Sequence, residues 1–175
     1  VTFHQATVIS KESPVVKLEI KVNETNGDFS INEGETLVVT GKIFAPQSPI
    51  LLLQNVLNTS LEKKDTIILN TEDIYQELRI RGYDYGPTFR QIQRASGNAK
   101  FCEINYLNWV VFLDNMLQLS ILSKQTENLY LPVRIQSLKL NPTLFAAAAK
   151  ELRPTMKLTV FNEMSSNALV APGIE

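Results

Sequence analysis

One histidine and one cysteine are all that this chain of 175 residues offers of the side chains most often used as metal ligands or nucleophiles. No metal site is expected from so sparse a set. The single Cys102 cannot close an internal disulfide, which suits a reducing compartment. An excess of either charge is also missing. Lys and Arg number 17 against 18 Asp and Glu, a net charge of −1, so no basic field gathers phosphates and nucleic acid is not an expected partner. No apolar run reaches the roughly 18 residues that a membrane span needs, and no signal peptide is evident. A membrane is therefore not an expected partner, and a cytoplasmic location is expected. No G-x-G-x-x-G fingerprint and no carrier-protein serine motif occur, and no cofactor is expected to be bound here. A hydrophobic content of 44% with 20% charged residues is that of a globular protein, of one domain or two small ones. The chain starts on Val1 within apparent structure and is expected to be a piece of a longer protein.

What is plentiful is apolar surface, concentrated in one stretch. Asn108 to Ser123 (NWVVFLDNMLQLSILS) holds ten large apolar residues among sixteen, with no proline or glycine. This predicts a helix of about four turns, with Asn108 as its N-cap. At ~100° per residue, Trp109, Phe112, Leu113, Met116, Leu117 and Leu119 spread over most of the circumference. Such a helix is buried and wrapped by something else. Asp114 and Gln118 interrupt the pattern at i and i+4 on one face, among Val110, Val111, Leu117 and Ile121. The residues alone leave two readings open. Either Asp114, Asn115 and Gln118 line a partly exposed edge, or a carboxyl in apolar surroundings marks a functional site.

Before Phe44 the period is two. Val16, Leu18, Ile20 and Val22 alternate with Lys17, Glu19 and Lys21, as in a half-buried strand. Asn23 to Asp28 reads as a turn, Phe29 to Ile31 as a strand, Asn32 to Gly34 as a turn, and Leu37 to Phe44 as a further strand. No helix accompanies these strands to cover their apolar face. Residues 45–70 are predicted to be a connection, with its apolar part, Ile50 to Leu57, packed on one unit. Thr71 is expected to cap a helix over Glu72 to Ile80, ended by Gly82. Gly82 to Phe89 (GYDYGPTF) is dense in turn formers and aromatics. Phe89–Ala95 and Ala99–Tyr106 form a predicted hairpin, Tyr130–Leu140 a strand, Thr143–Leu152 a short helix and Met156–Phe161 a strand. The fold class is α+β, an antiparallel sheet rolled around one buried helix, which is the hotdog arrangement.

The order GYDYGPTF, then DNMLQ (Asp114 to Gln118), then YLPVRI (Tyr130 to Ile135) resembles the dehydratase domain of animal fatty acid synthase and of reducing polyketide synthases. The opening FHQATV and the strand LVVTGKIF resemble the latter part of that domain's first half. GYDYGPTF and NWVVFLDNMLQLSIL favour the fatty acid synthase branch. The resemblance implies a double hotdog, with 1–44 the last strands of an incomplete first hotdog, 45–70 a linker and 71–175 the second hotdog, truncated at its end. It implies removal of water from a (3R)-3-hydroxyacyl chain to give a trans-2-enoyl chain. The substrate would be carried on the phosphopantetheine of an acyl carrier protein.

In that family a histidine of an H-x-x-x-G-x-x-x-x-P motif is the base and an aspartate of D-x-x-x-Q or D-x-x-x-H is the acid. Asp114 matches the aspartate as proton donor, and Gln118 matches the residue that orients it. Tyr83, Tyr85, Gly86 and Pro87 match the motif near the substrate tunnel, although the same residues suit a rigid aromatic turn. Pro132 is a further tunnel candidate that could equally start a strand. His4 departs from the pattern, with Val8 where the motif has glycine and no proline at its last position. His4 is therefore expected to be structural, and Arg134 is given no role. The base is expected in a missing upstream segment, so these residues alone are expected to be inactive. Partners implied are the acyl carrier protein, that upstream segment, the rest of the synthase and a second copy in a homodimer. Two other readings of the same residues are a non-catalytic double-hotdog scaffold that binds acyl chains and a product-template-like domain of polyketide synthesis.

Overall fold

The computed structural model describes residues 1–12, 14–47, 67–124, 126, 128–151 and 156–175. It divides into two compact units, Val1–Pro49 with Leu131–Leu138, and Ile50–Tyr130 with Lys139–Glu175.

The first unit is a four-stranded antiparallel sheet built from β1 (Thr2–Phe3), β2 (Leu18–Val22), β3 (Asp28–Glu33) and β4 (Thr36–Lys42), in the order β1-β4-β3-β2. Phe29–Ile31 is longer than predicted, running on through Asn32 and Glu33, and the turn falls on Gly34 and Glu35. Ile31 pairs with Val39 but Asn32 with Leu37, which leaves Val38 as an extra residue in β4. A bulge of this kind re-aims neighbouring side chains, and Val38 and Val39 are both buried. The prediction that β2 is half-buried does not hold. Leu18, Ile20 and Val22 are 46%, 65% and 54% exposed, because no helix lies among the described residues of this unit to cover them. Tyr130–Leu140, predicted as a strand of the second sheet, is not a regular strand. Its Leu131–Leu138 portion belongs to the first unit, where Arg134 makes a single bridge to Thr2. The alternation of YLPVRIQSLKL resembles a strand, but Pro132 has no N–H with which to continue a ladder and β1 is only two residues long.

The second unit carries a five-stranded antiparallel sheet in the order β5-β6-β7-β8-β9: Ile68–Asn70, Ile92–Ser96, Phe101–Asn105, Lys157–Glu163 and Ala168–Val170. Ile68–Asn70, assigned from sequence to the connection, is thus a strand; residues 48–66 of that connection, Ile50–Leu57 included, lie outside the described residues. The hairpin β6–β7 starts later than predicted. Phe89 belongs to a 3₁₀ turn, Pro87–Phe89, and the ladder begins at Ile92.

Helix α1 (Thr71–Ile80) is capped by Asn70, not Thr71. Asn70 Oδ1 accepts from Asp73 N and Asp73 Oδ2 accepts from Asn70 N, a reciprocal capping box. Thr71 instead turns its hydroxyl to the carbonyls of Ile92 and Gln93, tying α1 to β6. The helix ends as expected at Gly82, whose φ of +93° is the left-handed conformation that glycine adopts without strain. Gly82 N donates to Arg79 O and Tyr83 N to Leu78 O, closing the last turn. Helix α2 (Trp109–Leu122) fulfils the central prediction, with Asn108 Oδ1 accepting from Val111 N at 3.0 Å. Its far end is held from outside: Arg81 donates to the carbonyls of Ile121 and Lys124 and is steadied by Glu77. Helix α3 (Pro142–Glu151) packs Phe145 against Trp109, Tyr106 and Phe112.

Around α2 lies one continuous core. Phe112, Met116 and Leu119 meet Ile74 and Leu78 of α1, and Ile92, Ile104, Leu158 and Val160 of the sheet. Sheet wrapped on helix is the hotdog arrangement. Leu117, expected in the core, is only partly buried, whereas Leu119 is inaccessible to solvent. Leu119→Ala should therefore lower the unfolding free energy by ~2–5 kcal/mol, through lost burial and a cavity that the surrounding strands cannot fill. Urea unfolding of the variant would measure this, and a loss under about 0.5 kcal/mol would place Leu119 at a surface.

Candidate active site

Burying α2 creates a problem at its polar positions. Asn115 and Gln118 are fully buried, and a buried amide without partners costs several kcal/mol. Every one of their polar atoms is satisfied. Asn115 Nδ2 donates to Val111 O one turn back at 2.7 Å, and its Oδ1 accepts from Gln91 N at 3.1 Å. Gln118 Nε2 uses both hydrogens, one to Phe89 O at 2.9 Å and one to Asp114 Oδ2 at 2.8 Å. Its Oε1 accepts from the Tyr75 hydroxyl at 3.0 Å. The reading of these residues as an exposed edge is therefore overturned for Asn115 and Gln118.

The partners come from elements that the fold delivers to one place. Phe89 closes the 3₁₀ turn begun by Gly86 and Pro87, with Phe89 N donating to Gly86 O at 3.0 Å. The proline presets φ for that turn. Gln91 and Ile92 stand where the chain enters β6, next to an irregularity that leaves Gln93 unpaired with β7. Their N–H groups are taken by side chains instead, Gln91 by Asn115 and Ile92 by the Tyr75 hydroxyl at 3.1 Å.

Asp114 is half-buried. Burial raises its pKa above the ordinary carboxylate value of 3.8, and the hydrogen bond from Gln118 opposes that rise. Tyr85 lies close enough to feel its charge. Burial first, then Asp114, pushes the Tyr85 phenol up to about 12, so it stays neutral and protonated near pH 7. The Tyr85 ring stacks on Tyr83 at 6.2 Å and meets Tyr75 edge-on at 6.3 Å. Tyr83 is anchored in turn, donating to Tyr130 O and accepting from Tyr130 N.

Of the residues singled out from sequence, Asp114, Gln118, Tyr83 and Tyr85 thus come together, and Gly86 and Pro87 shape the turn that supplies Phe89 O. Pro132 belongs to the first compact unit and is exposed. His4 also belongs to that unit, with Nε2 2.8 Å from Thr40 Oγ1. Cys102 is buried in β7, where burial pushes its thiol pKa up. Tyr75 and Asn115 were missed. The signal for Tyr75 was present, since a tyrosine beside Ile74 and three residues before Leu78 places a hydroxyl on the helix face that packs inward, where it must find a partner. Among the described residues no cluster of three or more His, Cys, Asp or Glu could hold a metal, and no helix is long and apolar enough to cross a membrane.

The raised pKa has a consequence for stability. The folded state holds the Asp114 proton more tightly than the unfolded chain, so Asp114 costs stability progressively as pH climbs from its unfolded value through its folded value. Asp114→Asn, which keeps an acceptor for Gln118, should be more stable than the parent at pH 7, with the advantage shrinking below the ordinary carboxylate value. Urea midpoints of both proteins at about pH 3 and pH 7 would check this; an advantage that is larger at the acid end would contradict the sign.

No family model matches the sequence. Solved structures do. The dehydratase domain from the CurK module of curacin polyketide synthase is similar over 99% of this chain and 71% of its own, at a TM-score of 0.57 and 20% identity. The dehydratase domain from the CurJ module is similar over 91% of this chain and 59% of its own, at a TM-score of 0.59 and 19% identity. Inactive mutants of the CurK dehydratase, one with a histidine changed to phenylalanine and one with an aspartate changed to asparagine, match at a TM-score of 0.51. The chain therefore has the hotdog fold of these dehydratase domains.

Proposed function

We propose that this chain is the acid-bearing part of a 3-hydroxyacyl dehydratase, with Asp114 as the proton donor. The observation that carries the reading is the fixed pair Asp114–Gln118. Phe89 O can only accept, so the Gln118 carboxamide turns its nitrogen that way, and its second hydrogen then points at Asp114 Oδ2. A carboxyl whose Oδ2 already accepts a hydrogen bond carries its own proton on Oδ1. Half-burial shifts that carboxyl toward its protonated form, the form from which a proton can be given away.

Elimination of water from a 3-hydroxyacyl thioester balances as follows. A base takes the proton from C2, the electron pair forms the C2–C3 double bond, and the C3–O bond breaks. The departing hydroxyl takes the Asp114 proton and leaves as water. Asp114 supplies the second proton transfer; the first needs a base. His4, the only histidine, does not fit the base motif. The base is assigned to a segment of the longer synthase chain, and the partners to that segment, the acyl carrier protein with its phosphopantetheine-bound substrate, and a second copy. GYDYGPTF and NWVVFLDNMLQLSIL support fatty acid synthase over polyketide synthase as the context. A passive acyl-binding scaffold would have no need of a carboxyl with one oxygen committed and the other without a hydrogen bond among the described residues.

In the longer synthase chain, Asp114→Asn should lower dehydration on the order of 10²- to 10⁴-fold, as expected for loss of a general acid, and Gln118→Ala should lower it less. Assay of a 3-hydroxyacyl thioester by formation of the enoyl product would check both. Near-parental turnover by a folded Asn variant would remove Asp114 from the mechanism. The 175 residues alone should give no enzymatic turnover until the upstream segment is supplied. The activity so restored should then be lost when that segment's histidine is mutated, and survive His4→Ala.

A further inference from the structure

We propose that Tyr75 is a positioning residue of this site, holding the Gln118 carboxamide in the one orientation that donates to Asp114; the inference rests on the reading of Asp114 as proton donor. The Tyr75 hydroxyl has one hydrogen and three acceptors within reach: Gln118 Oε1 at 3.0 Å, Asn115 Oδ1 at 3.1 Å and Phe89 O at 3.3 Å. Two of the three are already served, Asn115 Oδ1 by Gln91 N and Phe89 O by Gln118 Nε2. Gln118 Oε1 receives no other hydrogen bond among the described residues, and it is the nearest. The hydroxyl proton therefore goes to Gln118. Ile92 N–H points into the same oxygen at 3.1 Å, fixing the lone-pair side and leaving the proton the other direction.

The ring that carries this hydroxyl is itself immobilised. The Arg90 guanidinium lies 4.9 Å above it and Tyr85 abuts its edge. With nitrogen and oxygen interchanged, the Gln118 oxygen would face the Phe89 carbonyl, which has no hydrogen to give, and the Tyr75 proton would have to turn to Asn115 Oδ1 or Phe89 O. Tyr75 and Phe89 thus select the same orientation from opposite ends of the amide. The effect on chemistry is indirect. Tyr75 does not touch Asp114; it determines whether Oδ2 is occupied, and so which oxygen carries the transferable proton.

Tyr75→Phe keeps the ring and removes the hydroxyl, so a purely structural role for the ring would leave Asp114 unmoved. Donation from Gln118 holds the Asp114 pKa down against burial, and loosening it should let that pKa rise. In the 175-residue chain labelled with ¹³C-carboxyl aspartate, the Asp114 titration midpoint should move up in Tyr75→Phe, in the same direction as in Gln118→Ala. Tyr75→Phe placed in the Gln118→Ala background should add nothing. With 4-aminophenylalanine in place of Tyr75, which restores a donor at the ring tip, the midpoint should return toward the parent value. An unmoved midpoint in Tyr75→Phe, or shifts that add in the double variant, would overturn the proposal. If Tyr75→Phe does not fold, the parent chain decides: the Tyr75 hydroxyl proton should show a nuclear Overhauser contact to the Gln118 carboxamide, and a contact to Asn115 alone overturns it. The readout needs no turnover, so it separates from the reading beneath it. An active Asp114→Asn enzyme would sink the dehydratase assignment while leaving the midpoint shift intact.

Discussion

The structure of the second unit turns on a single buried carboxamide. Gln118 lies within an apolar helix, where it can be tolerated only if both its N–H groups and its oxygen find partners. Each partner comes from a different place: Tyr75 from α1, the Phe89 carbonyl from the turn after Pro87, and Asp114 from the preceding turn of α2. Satisfying one amide thus fixes the approach of α1, the entry to β6 and the rotamer of a carboxylic acid. A network of this sort specifies one arrangement, because a half-satisfied version is worse than none.

That constraint explains why the segment from Gly82 to Gln93 has the shape it has. Gly82 ends α1 in a left-handed conformation, and the stacked rings of Tyr83 and Tyr85 fill the space beside Tyr75. Gly86 and Pro87 then make the tight turn that points Phe89 O inward, and the next two backbone N–H groups fall to Asn115 and Tyr75 before the β6 ladder begins. A stretch that reads as a rigid aromatic turn also flanks the Asp114–Gln118 pair of the candidate site. The two roles need the same residues.

Much of this was legible in the chain. An apolar run without glycine or proline, capped by Asn108, announced α2, and the i, i+4 spacing of Asp114 and Gln118 within it announced their hydrogen-bonded pair. What sequence did not reveal was contact across long separations. Tyr75 and Gln118 are 43 residues apart and their hydrogen bond leaves no periodic trace. An exposed edge stayed open as one reading of Asn115 because a helical wheel cannot know that the entry to β6 will cover it. Tyr130–Leu140 misled for the opposite reason: its alternation imitates a strand, but ladder partners are supplied by tertiary structure, and among the described residues it makes only two isolated bridges, Arg134 to Thr2 and Leu140 to Ile174. The capping of α1 was displaced by one residue because Asn70 and Asp73 form a reciprocal pair, which outcompetes the hydroxyl of Thr71.

The central claim is that Asp114 keeps one oxygen committed to Gln118 and offers the other to a departing hydroxyl. A crystal structure of the protein holding a non-eliminating (3R)-3-hydroxyacyl pantetheine analogue tests this most directly. The account predicts the 3-hydroxyl within hydrogen-bond distance of Asp114 Oδ1, with Gln118 Nε2 still donating to Oδ2. A bound analogue whose hydroxyl lies away from Asp114, or a Gln118 amide turned from it in the complex, would contradict the account.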